Sequence, residues 1–283
     1  MNLLNLGCGS RFHPGWTNVD MAPQHPSVLR CDFLEGLPFA DQSQDVVYHS
    51  HVLEHLPRDH AVDFLRECRR VLKPGGILRV AVPDLERIVA DYNQTLLDLK
   101  REPADPQAEA RHEWALVQMF DQCVRTTSGG GCMSFLKTAP EAMRGYLSDR
   151  AGPDLLEAAA TASPRGQTPA VPRFPSLSSL LRNRRHFFTA TREWLLHKLL
   201  GREYPALVIG RFRTGGEVHQ WMYDRHNLAR TLRRAGFDSI GVMSATESAI
   251  PGWTSYQLDT DAGGRVRKPD SLFIEARRTM DQP

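Results

Sequence analysis

The sequence predicts an α/β fold in which a parallel sheet carries helices on both faces. Three observations predict it. Short apolar runs alternate with helical or turn segments through the first 85 residues. A turn with two glycines follows the first apolar run. An acidic residue ends each of the next two apolar runs. Strands separated by such crossovers pair in parallel, and ligands of these sheets bind beyond the carboxyl ends of the strands.

The composition is typical of a folded globular chain. Of its 283 residues, 41% are hydrophobic and 24% are charged, and 35 Lys and Arg against 33 Asp and Glu give a net charge of +2. The length allows one large domain or one domain with a substantial insert. The near-neutral charge argues against a protein whose main role is to coat nucleic acid, since that role needs a basic excess.

The cysteines and the first residues predict the cellular setting. Five cysteines without a CxxC spacing favour free thiols over a disulfide framework or a zinc knuckle. The N-terminal residues lack the basic segment of a signal peptide. No stretch approaches the ~20 apolar residues that a membrane span needs. We therefore expect a cytoplasmic protein.

The elements of the first 85 residues follow from their apolar spacing. Four short runs predict strands, at residues 3–6, 17–20, 27–30 and 45–48. Apolar positions three and four apart predict a helix over 59–72, with Asp59 as its N-cap and Pro74-Gly75-Gly76 ending it. The run 77–82 predicts a fifth strand.

Beyond residue 85 the pattern becomes helical. Helices are predicted over 85–99 and 112–124, followed by a flexible break at Gly129, Gly130 and Gly131 and an exposed linker over 158–176. A helix over 224–235 and strands at 237–243 and 272–276 return the chain to the sheet. We therefore predict one α/β domain, formed by 1–84 and 221–283, with a helical insert at 85–220.

The glycine turn and the acids predict the ligand contacts. At Gly7, Cys8 and Gly9 the backbone can turn tightly, and a ligand can lie against main-chain atoms. Asp20 ends the second strand, where a carboxylate can accept both hydroxyls of a ribose. Asp32 ends the third, where a carboxylate can take an exocyclic amine beside the apolar face of Phe33.

In this order the motifs resemble those of the class I S-adenosylmethionine-dependent methyltransferases, and within them the group often called type 11. The motifs are the glycine turn at 3–10, Asp20, residues 31–39, His-Val-Leu-Glu-His-Leu at 51–56 and Leu-Lys-Pro-Gly-Gly at 72–76. The match covers 1–85 and, more loosely, 220–277. The resemblance implies a Rossmann-like seven-stranded sheet with its last strand antiparallel, and a mainly helical insert.

The resemblance also implies S-adenosyl-L-methionine as the cofactor, bound at the glycine turn. It implies ribose contact by Asp20 and adenine contact by Asp32 and Phe33. The full set of predicted cofactor-binding residues is Asn5, Gly7, Cys8, Gly9, Asp20, Asp32, Phe33, His49 and His55.

Two departures from the family pattern keep an alternative open. Asn5 stands where an acid is usual, and Arg11 stands at the third glycine position. They are the best support for a non-catalytic methyltransferase-like binding or scaffold domain. A nicotinamide dehydrogenase is disfavoured because GxGxxG is absent and the motif at 72–76 would be unexplained.

Three histidines follow the fourth strand, at the edge that in this fold faces the methyl-bearing sulfur. Methyl transfer to a hydroxyl needs an acceptor for the proton, and an imidazole suits that task near neutral pH. We predict His49 and His51 as catalytic; alternatively, His55 and Glu54 shape the cofactor pocket. No metal site is predicted, because no acidic pattern completes one. The absent Asn/Asp-Pro-Pro-Tyr signature favours an oxygen nucleophile.

The insert is predicted to be the lid that recognises a small-molecule or glycan acceptor, and no nucleic-acid substrate is expected. Residues 121–125 precede the glycine hinge and could face the acceptor, as could 219–225. The basic stretch 177–200 is predicted to be a lid helix with its apolar face buried. Its alternative is a surface helix that contacts anionic lipid or a phosphate-bearing substrate through Arg182, Arg184 and Arg185. The oligomeric state cannot be derived from these patterns.

Overall fold

The computed structural model describes residues 1–161, 172–176 and 183–279. Its strands are Leu3–Leu6 (β1), Thr17–Asp20 (β2), Leu29–Arg30 (β3), Gln44–Ser50 (β4), Leu72–Pro83 (β5), Phe237–Met243 (β6) and Ser271–Arg278 (β7). Within these ranges they form one seven-stranded sheet in the order β3-β2-β1-β4-β5-β7-β6. Strands β1 to β5 pair in parallel, and β7 is antiparallel to both of its neighbours. The predicted fold class is confirmed.

The helices are mainly found between β5 and β6. They are Arg58–Val71 (α1), Leu85–Arg101 (α2), Pro106–Val124 (α3), Gly130–Thr138 (α4), Arg144–Ala151 (α5), Pro153–Thr161 (α6), Arg184–Leu200 (α7), Tyr204–Arg213 (α8) and Arg225–Arg234 (α9). Of the helices in the described ranges, none is long and apolar enough to cross a membrane.

Helix α1 covers one face of the sheet. Its apolar residues recur at helical spacing, so Ala61, Phe64, Leu65 and Cys68 are all buried against the strands. Its predicted ends were wrong in detail. Asp59 lies inside the first turn, and Pro57 occupies the N-cap position without a side-chain bond.

The glycine pair after α1 belongs to the fifth strand and does not end the helix. Helix α1 ends at Val71 and β5 begins at Leu72. Gly75 has φ +75°, and a Cβ at Gly76 would lie 2.8 Å from the Lys73 carbonyl oxygen. The two glycines therefore let the backbone turn closely within the first residues of β5.

The other face of the sheet is built around a buried cation. The Arg79 guanidinium is fully buried and lies 2.8 Å from both the Asp259 and the Glu275 carboxylates. It also lies 4.4 Å from the centre of the Trp253 ring. The Tyr48 hydroxyl donates to Asp259 at 2.6 Å. These contacts hold the segment between β6 and β7 against the sheet.

The insert has a hydrophobic cluster of its own. Trp114, Cys132, Met143, Leu147 and Ala151 are buried together. This cluster ties α3, α4 and α5 to one another, so this part of the insert folds as a packed unit.

The glycine run at 129–131 is ordered, contrary to the predicted flexible break. Gly131 and Cys132 donate their backbone N–H groups to the Asp121 carboxylate at 2.6 and 3.2 Å, and α4 begins at Gly130. A Cβ at Gly130 would lie 2.6 Å from the Asp121 oxygens. The glycines allow a carboxylate to cap a helix at close range.

The basic stretch of the insert is only partly described. Residues 177–182, including Arg182, and residues 162–171 of the predicted linker lie outside the described residues. Helix α7 buries none of its residues, and Phe188 and Leu199 are 61% and 80% exposed. The expectation that this helix buries an apolar face is therefore wrong for 184–200.

Candidate active site

A cavity of about 800 Å³ lies between the carboxyl ends of the central strands and the insert. The glycine turn forms one end and the residues after β4 form its floor. Helices α3, α4 and α6 and the segment 258–273 close the remaining sides. Lining residues from these parts include Gly7, Gly9, Arg11, His51, His55, Gln122, Arg125, Met133, Asp154, His219, Lys268 and Asp270.

The glycine turn is shaped by close approach on one side and by an acid on the other. Gly7 has φ +66°, and a Cβ there would overlap Val52 Cγ2. Gly9 has φ +52°, and its N–H donates to the Asp20 carboxylate at 2.8 Å. Asp20 is half-buried, and its other oxygen accepts from Ala22 at 2.8 Å. The turn is thus an open backbone surface with a carboxylate beside it.

Apart from His49, the predicted cofactor residues divide into two groups. Asn5, Gly7, Cys8, Gly9 and His55 line the cavity. Asn5 is buried and donates its amide to Asn18 at 3.1 Å, so it supports the turn from below.

The second group lies beside the turn and not in the cavity wall. Asp20 is joined to Gly9, and a Cβ at Gly7 would lie 3.7 Å from the Phe33 ring. Phe33 is buried and its ring centre is 5.7 Å from that of Phe64. Asp32 is exposed and accepts from the Leu34 N–H at 3.0 Å. A ligand can therefore reach the Asp32 carboxylate from solvent, next to the apolar side chain of Phe33.

His49 lies on the opposite side of β4 from the cavity. It is fully buried, and its ring centre is 5.2 Å from that of Phe64 on α1. Burial lowers its pKa to about 3. Because side chains alternate along a strand, Tyr48 and Ser50 face the cavity in its place. This placement corrects the sequence-based choice of His49 as a catalytic and cofactor-binding residue.

His51 holds an unusual backbone conformation at the cavity floor. Its φ is +56°, which is uncommon outside glycine and often found at functional sites. Its Nδ1 lies 3.1 Å from the buried Glu54 carboxylate, and its Nε2 lies 2.8 Å from the Ser271 hydroxyl. Burial and the charge of Lys268 hold the pKa of His51 well below its usual range. Both influences favour the neutral imidazole.

Two further histidines meet beside Glu54. The ring centres of His55 and His219 are 4.6 Å apart, with the rings perpendicular. Burial lowers the pKa of both, to about 3 for His219, although the Glu54 charge opposes the shift. The Gln220 N–H donates to the Glu54 carbonyl at 2.6 Å, which joins the end of the insert to the turn after β4.

Lys268 and Asp270 are among the charged cavity residues that the sequence analysis missed. Both are half-buried in the cavity wall just before β7. Burial lowers the pKa of Lys268 and raises that of Asp270 to about 6. The sequence analysis assigned His219 to a substrate wall because of the residues that follow it. It did not predict the ring contact between His219 and His55. No local pattern in the sequence signals any of these contacts.

Comparisons with known proteins match part of the chain to methyltransferases. The family described as "Methyltransferase domain" matches residues 16–80. The chain is 45% identical over 69 residues to a "Probable S-adenosylmethionine-dependent methyltransferase" of Mycolicibacterium smegmatis, covering 24% of this chain and 26% of that protein. Residues 16–80 are thus similar to a methyltransferase domain.

The chain has a second curated relative. It is 48% identical over 111 residues to "Probable methyltransferase ltbC" of Aspergillus luteorubrus, covering 35% of this chain and 37% of that protein. The chain thus spans between a quarter and two fifths of the length of these relatives. Among solved structures, a methyltransferase from Archaeoglobus fulgidus aligns over 98% of this chain and 86% of its own, with a TM-score of 0.38 and 11% identity.

The family match ends at residue 80, before most of the cavity wall. Helices α3, α4 and α6, His219 and the segment 258–273 all lie beyond it. Most of the cavity wall therefore lies outside the matched region.

Proposed function

We propose that the chain is an S-adenosylmethionine-dependent methyltransferase that methylates a hydroxyl oxygen of a small molecule or glycan. The supporting observation is that one cavity extends from the glycine turn to His51, a neutral imidazole in contact with a buried carboxylate. Bound S-adenosylmethionine supplies an electrophilic methyl group on its sulfonium. Cofactor binding, acceptance of the proton and acceptor binding are assigned to residues of this chain.

The cofactor site is assigned to the turn and to the acids beside it. The positive φ angles of Gly7 and Gly9 leave their backbone uncovered by side chains, so a ligand can approach it closely. Asp20 is half-buried and Asp32 is exposed, and both keep carboxylate oxygens available to a ligand's hydroxyl or amine donors. The apolar contact is assigned to Phe33. These donors and acceptors fit an adenosine group.

His51 is assigned as the group that accepts the acceptor's proton. With Nδ1 beside the Glu54 carboxylate, the tautomer protonated at Nδ1 is favoured, and Nε2 becomes the proton acceptor. The Ser271 hydroxyl lies 2.8 Å from Nε2, so this nitrogen already lies within reach of a hydroxyl. A base oriented by a carboxylate is the arrangement that activates hydroxyl nucleophiles elsewhere.

The insert is assigned to acceptor binding and to exclusion of water. Gln122, Arg125 and Met133 line the cavity across from the glycine turn. Arg125 donates to the Glu217 carbonyl at 2.6 Å, which fastens α3 to the segment that returns to the sheet. We therefore assign the cofactor to 1–84 and 221–283, and the acceptor to the lid at 85–220. The net charge of +2 supports a small molecule or glycan over nucleic acid.

The test combines cofactor binding with transfer. Calorimetric titration of the purified chain with S-adenosylmethionine should show one site, which Asp20→Ala weakens. Incubation of wild type with labelled cofactor and a cell extract should then place label in the small-molecule or glycan fraction. Binding without any transfer would indicate the scaffold alternative, and label in nucleic acid would contradict the acceptor class.

A further inference from the structure

Three side chains with metal-binding atoms converge at the floor of the cavity. Glu54, His55 and His219 each offer one such atom, and these atoms lie within 4.8 Å of one another. Glu54 and His55 come from the 3₁₀ turn after β4, whereas His219 comes from the segment that leaves the insert. His55 and His219 also line the cavity.

The polar atoms of this cluster are buried and lack hydrogen bonds among the described residues. They are both carboxylate oxygens of Glu54, His55 Nδ1 and His219 Nδ1. Glu54 is fully buried and His219 is 5% exposed. His51 Nδ1 lies 3.1 Å from one Glu54 oxygen without hydrogen-bond alignment, which leaves the second oxygen unpartnered. Buried polar atoms are normally paired, so this group requires an explanation.

We propose that Glu54, His55 and His219 bind one divalent transition-metal ion at the cavity floor. Two imidazoles and one carboxylate form the ligand set of open Zn²⁺ sites and of non-haem Fe²⁺ sites. Mg²⁺ and Ca²⁺ prefer oxygen ligands and fit poorly here. Three protein ligands leave a coordination position open toward the cavity.

The surroundings of the cluster fit a bound ion. His219 is buried and His55 is half-buried, so both imidazoles lie in surroundings with little water to compete for an ion. The contact between His51 and Glu54 would orient the ligating carboxylate, as outer partners of metal sites commonly do. Ligand bonds of about 2.0–2.2 Å would draw the three side chains closer together than they lie now.

Two cations also border the cluster and have to be accounted for. Lys268 and Arg125 both act to lower the pKa of His55, and they would repel a metal ion. Arg125 is paired with Glu217 at 3.5 Å. Within the described ranges no ion pair joins Lys268 to Glu54, although their opposite charges attract each other. Glu54 therefore remains available to the ion.

The experiment measures metal binding directly and does not depend on the proposed function. The purified chain is freed of metal with a chelator and titrated with Co²⁺, whose visible absorption reports coordination. We expect one Co²⁺ per chain, displaced by Zn²⁺ and not by Mg²⁺. The double variant His55→Ala/His219→Ala should bind at least about 100-fold more weakly. His60→Ala, which removes an exposed histidine on α1, should bind as wild type does.

Several outcomes would overturn the proposal. They are the absence of a stoichiometric Co²⁺ complex, a double variant that binds as tightly as wild type, and a loss in His60→Ala equal to that in the double variant. Should the double variant fail to fold by circular dichroism, X-ray absorption of the wild-type Zn²⁺ complex decides. Two imidazole ligands support the site, and sulfur ligands or a single imidazole reject it.

Discussion

His51 Nε2 lies 2.8 Å from the Ser271 hydroxyl, so the end of β4 is joined to the start of the antiparallel strand β7. The same imidazole lies 3.1 Å from Glu54 through its other nitrogen. The ring is therefore held by a hydrogen bond at Nε2 and lies beside a carboxylate at Nδ1, and a general base needs such a constant position.

The first prediction concerns this imidazole. His51→Gln should lower kcat by about 10²- to 10³-fold and leave the affinity for S-adenosylmethionine unchanged, because a general base contributes to the chemical step. Turnover with labelled cofactor and calorimetric titration measure the two quantities. His60→Gln is the matched control on an exposed histidine. An equal loss of cofactor affinity would assign His51 to the cofactor pocket instead.

The second prediction concerns stability at acid pH. His49 and His219 have folded pKa values of about 3, below the unfolded value near 6.5. Between these values the unfolded chain binds more protons, so the free energy of unfolding is fully retained above pH 6.5 and decreases as the pH falls below it. Each histidine contributes about 1.4 kcal/mol per pH unit there.

Urea denaturation at pH 7 and pH 5 measures this dependence. His49→Leu removes a buried titrating group, so the difference between the two pH values should shrink by about 2 kcal/mol relative to wild type. The exposed His60→Leu should leave the difference as it is. An unchanged difference in His49→Leu would mean that His49 is protonated in the folded state.

The third prediction concerns the buried cation of the sheet. Arg79→Met should destabilise the protein by about 3–5 kcal/mol, because Asp259 and Glu275 would remain buried without their partner. Arg66→Met removes an exposed pair with Asp63 and should cost less than about 1 kcal/mol. Chemical denaturation measures both, and similar losses in the two variants would contradict the structural role of Arg79.

The fourth prediction concerns the glycine turn. Gly7→Ala places a Cβ into Val52 at φ +66°, so it should destabilise the fold by about 1–3 kcal/mol and reduce cofactor binding. Gly145→Ala, in the open first turn of α5, meets no atom within 4 Å and should be neutral or stabilising. Thermal unfolding and cofactor titration measure both variants. A Gly7→Ala protein that behaves as wild type would mean that the turn adjusts freely.

The fifth prediction concerns the proposal that the sheet binds the cofactor and the insert binds the acceptor. Arg125→Ala removes the bond to the Glu217 carbonyl and a cavity-lining side chain, while the glycine turn is untouched. Acceptor turnover should fall and cofactor affinity should stay the same. Arg144→Ala, at an exposed position of the insert, is the control. Equal losses of both quantities in Arg125→Ala would reject the separate acceptor-binding lid.

The local signals of the sequence were sufficient for most elements of the core. The glycine turn lies at the end of β1, and Asp224 caps α9 by accepting from the Asn227 N–H at 2.6 Å. Such features depend on residues within a few positions of one another, so backbone sterics and side-chain caps determine them. The resemblance of the ordered motifs to those of class I methyltransferases then predicted the seven-stranded sheet.

Only the tertiary structure decided which histidine reaches the cavity. Both faces of β4 are buried, because helices cover one face and the segment between β6 and β7 covers the other. No polar alternation therefore distinguishes His49 from its neighbours in the sequence. The pairing of Glu54 and His55 with His219, and the approach of Lys268, join positions more than 160 residues apart. Such contacts depend on chain topology, and the sequence by itself determines only the residues that take part in them.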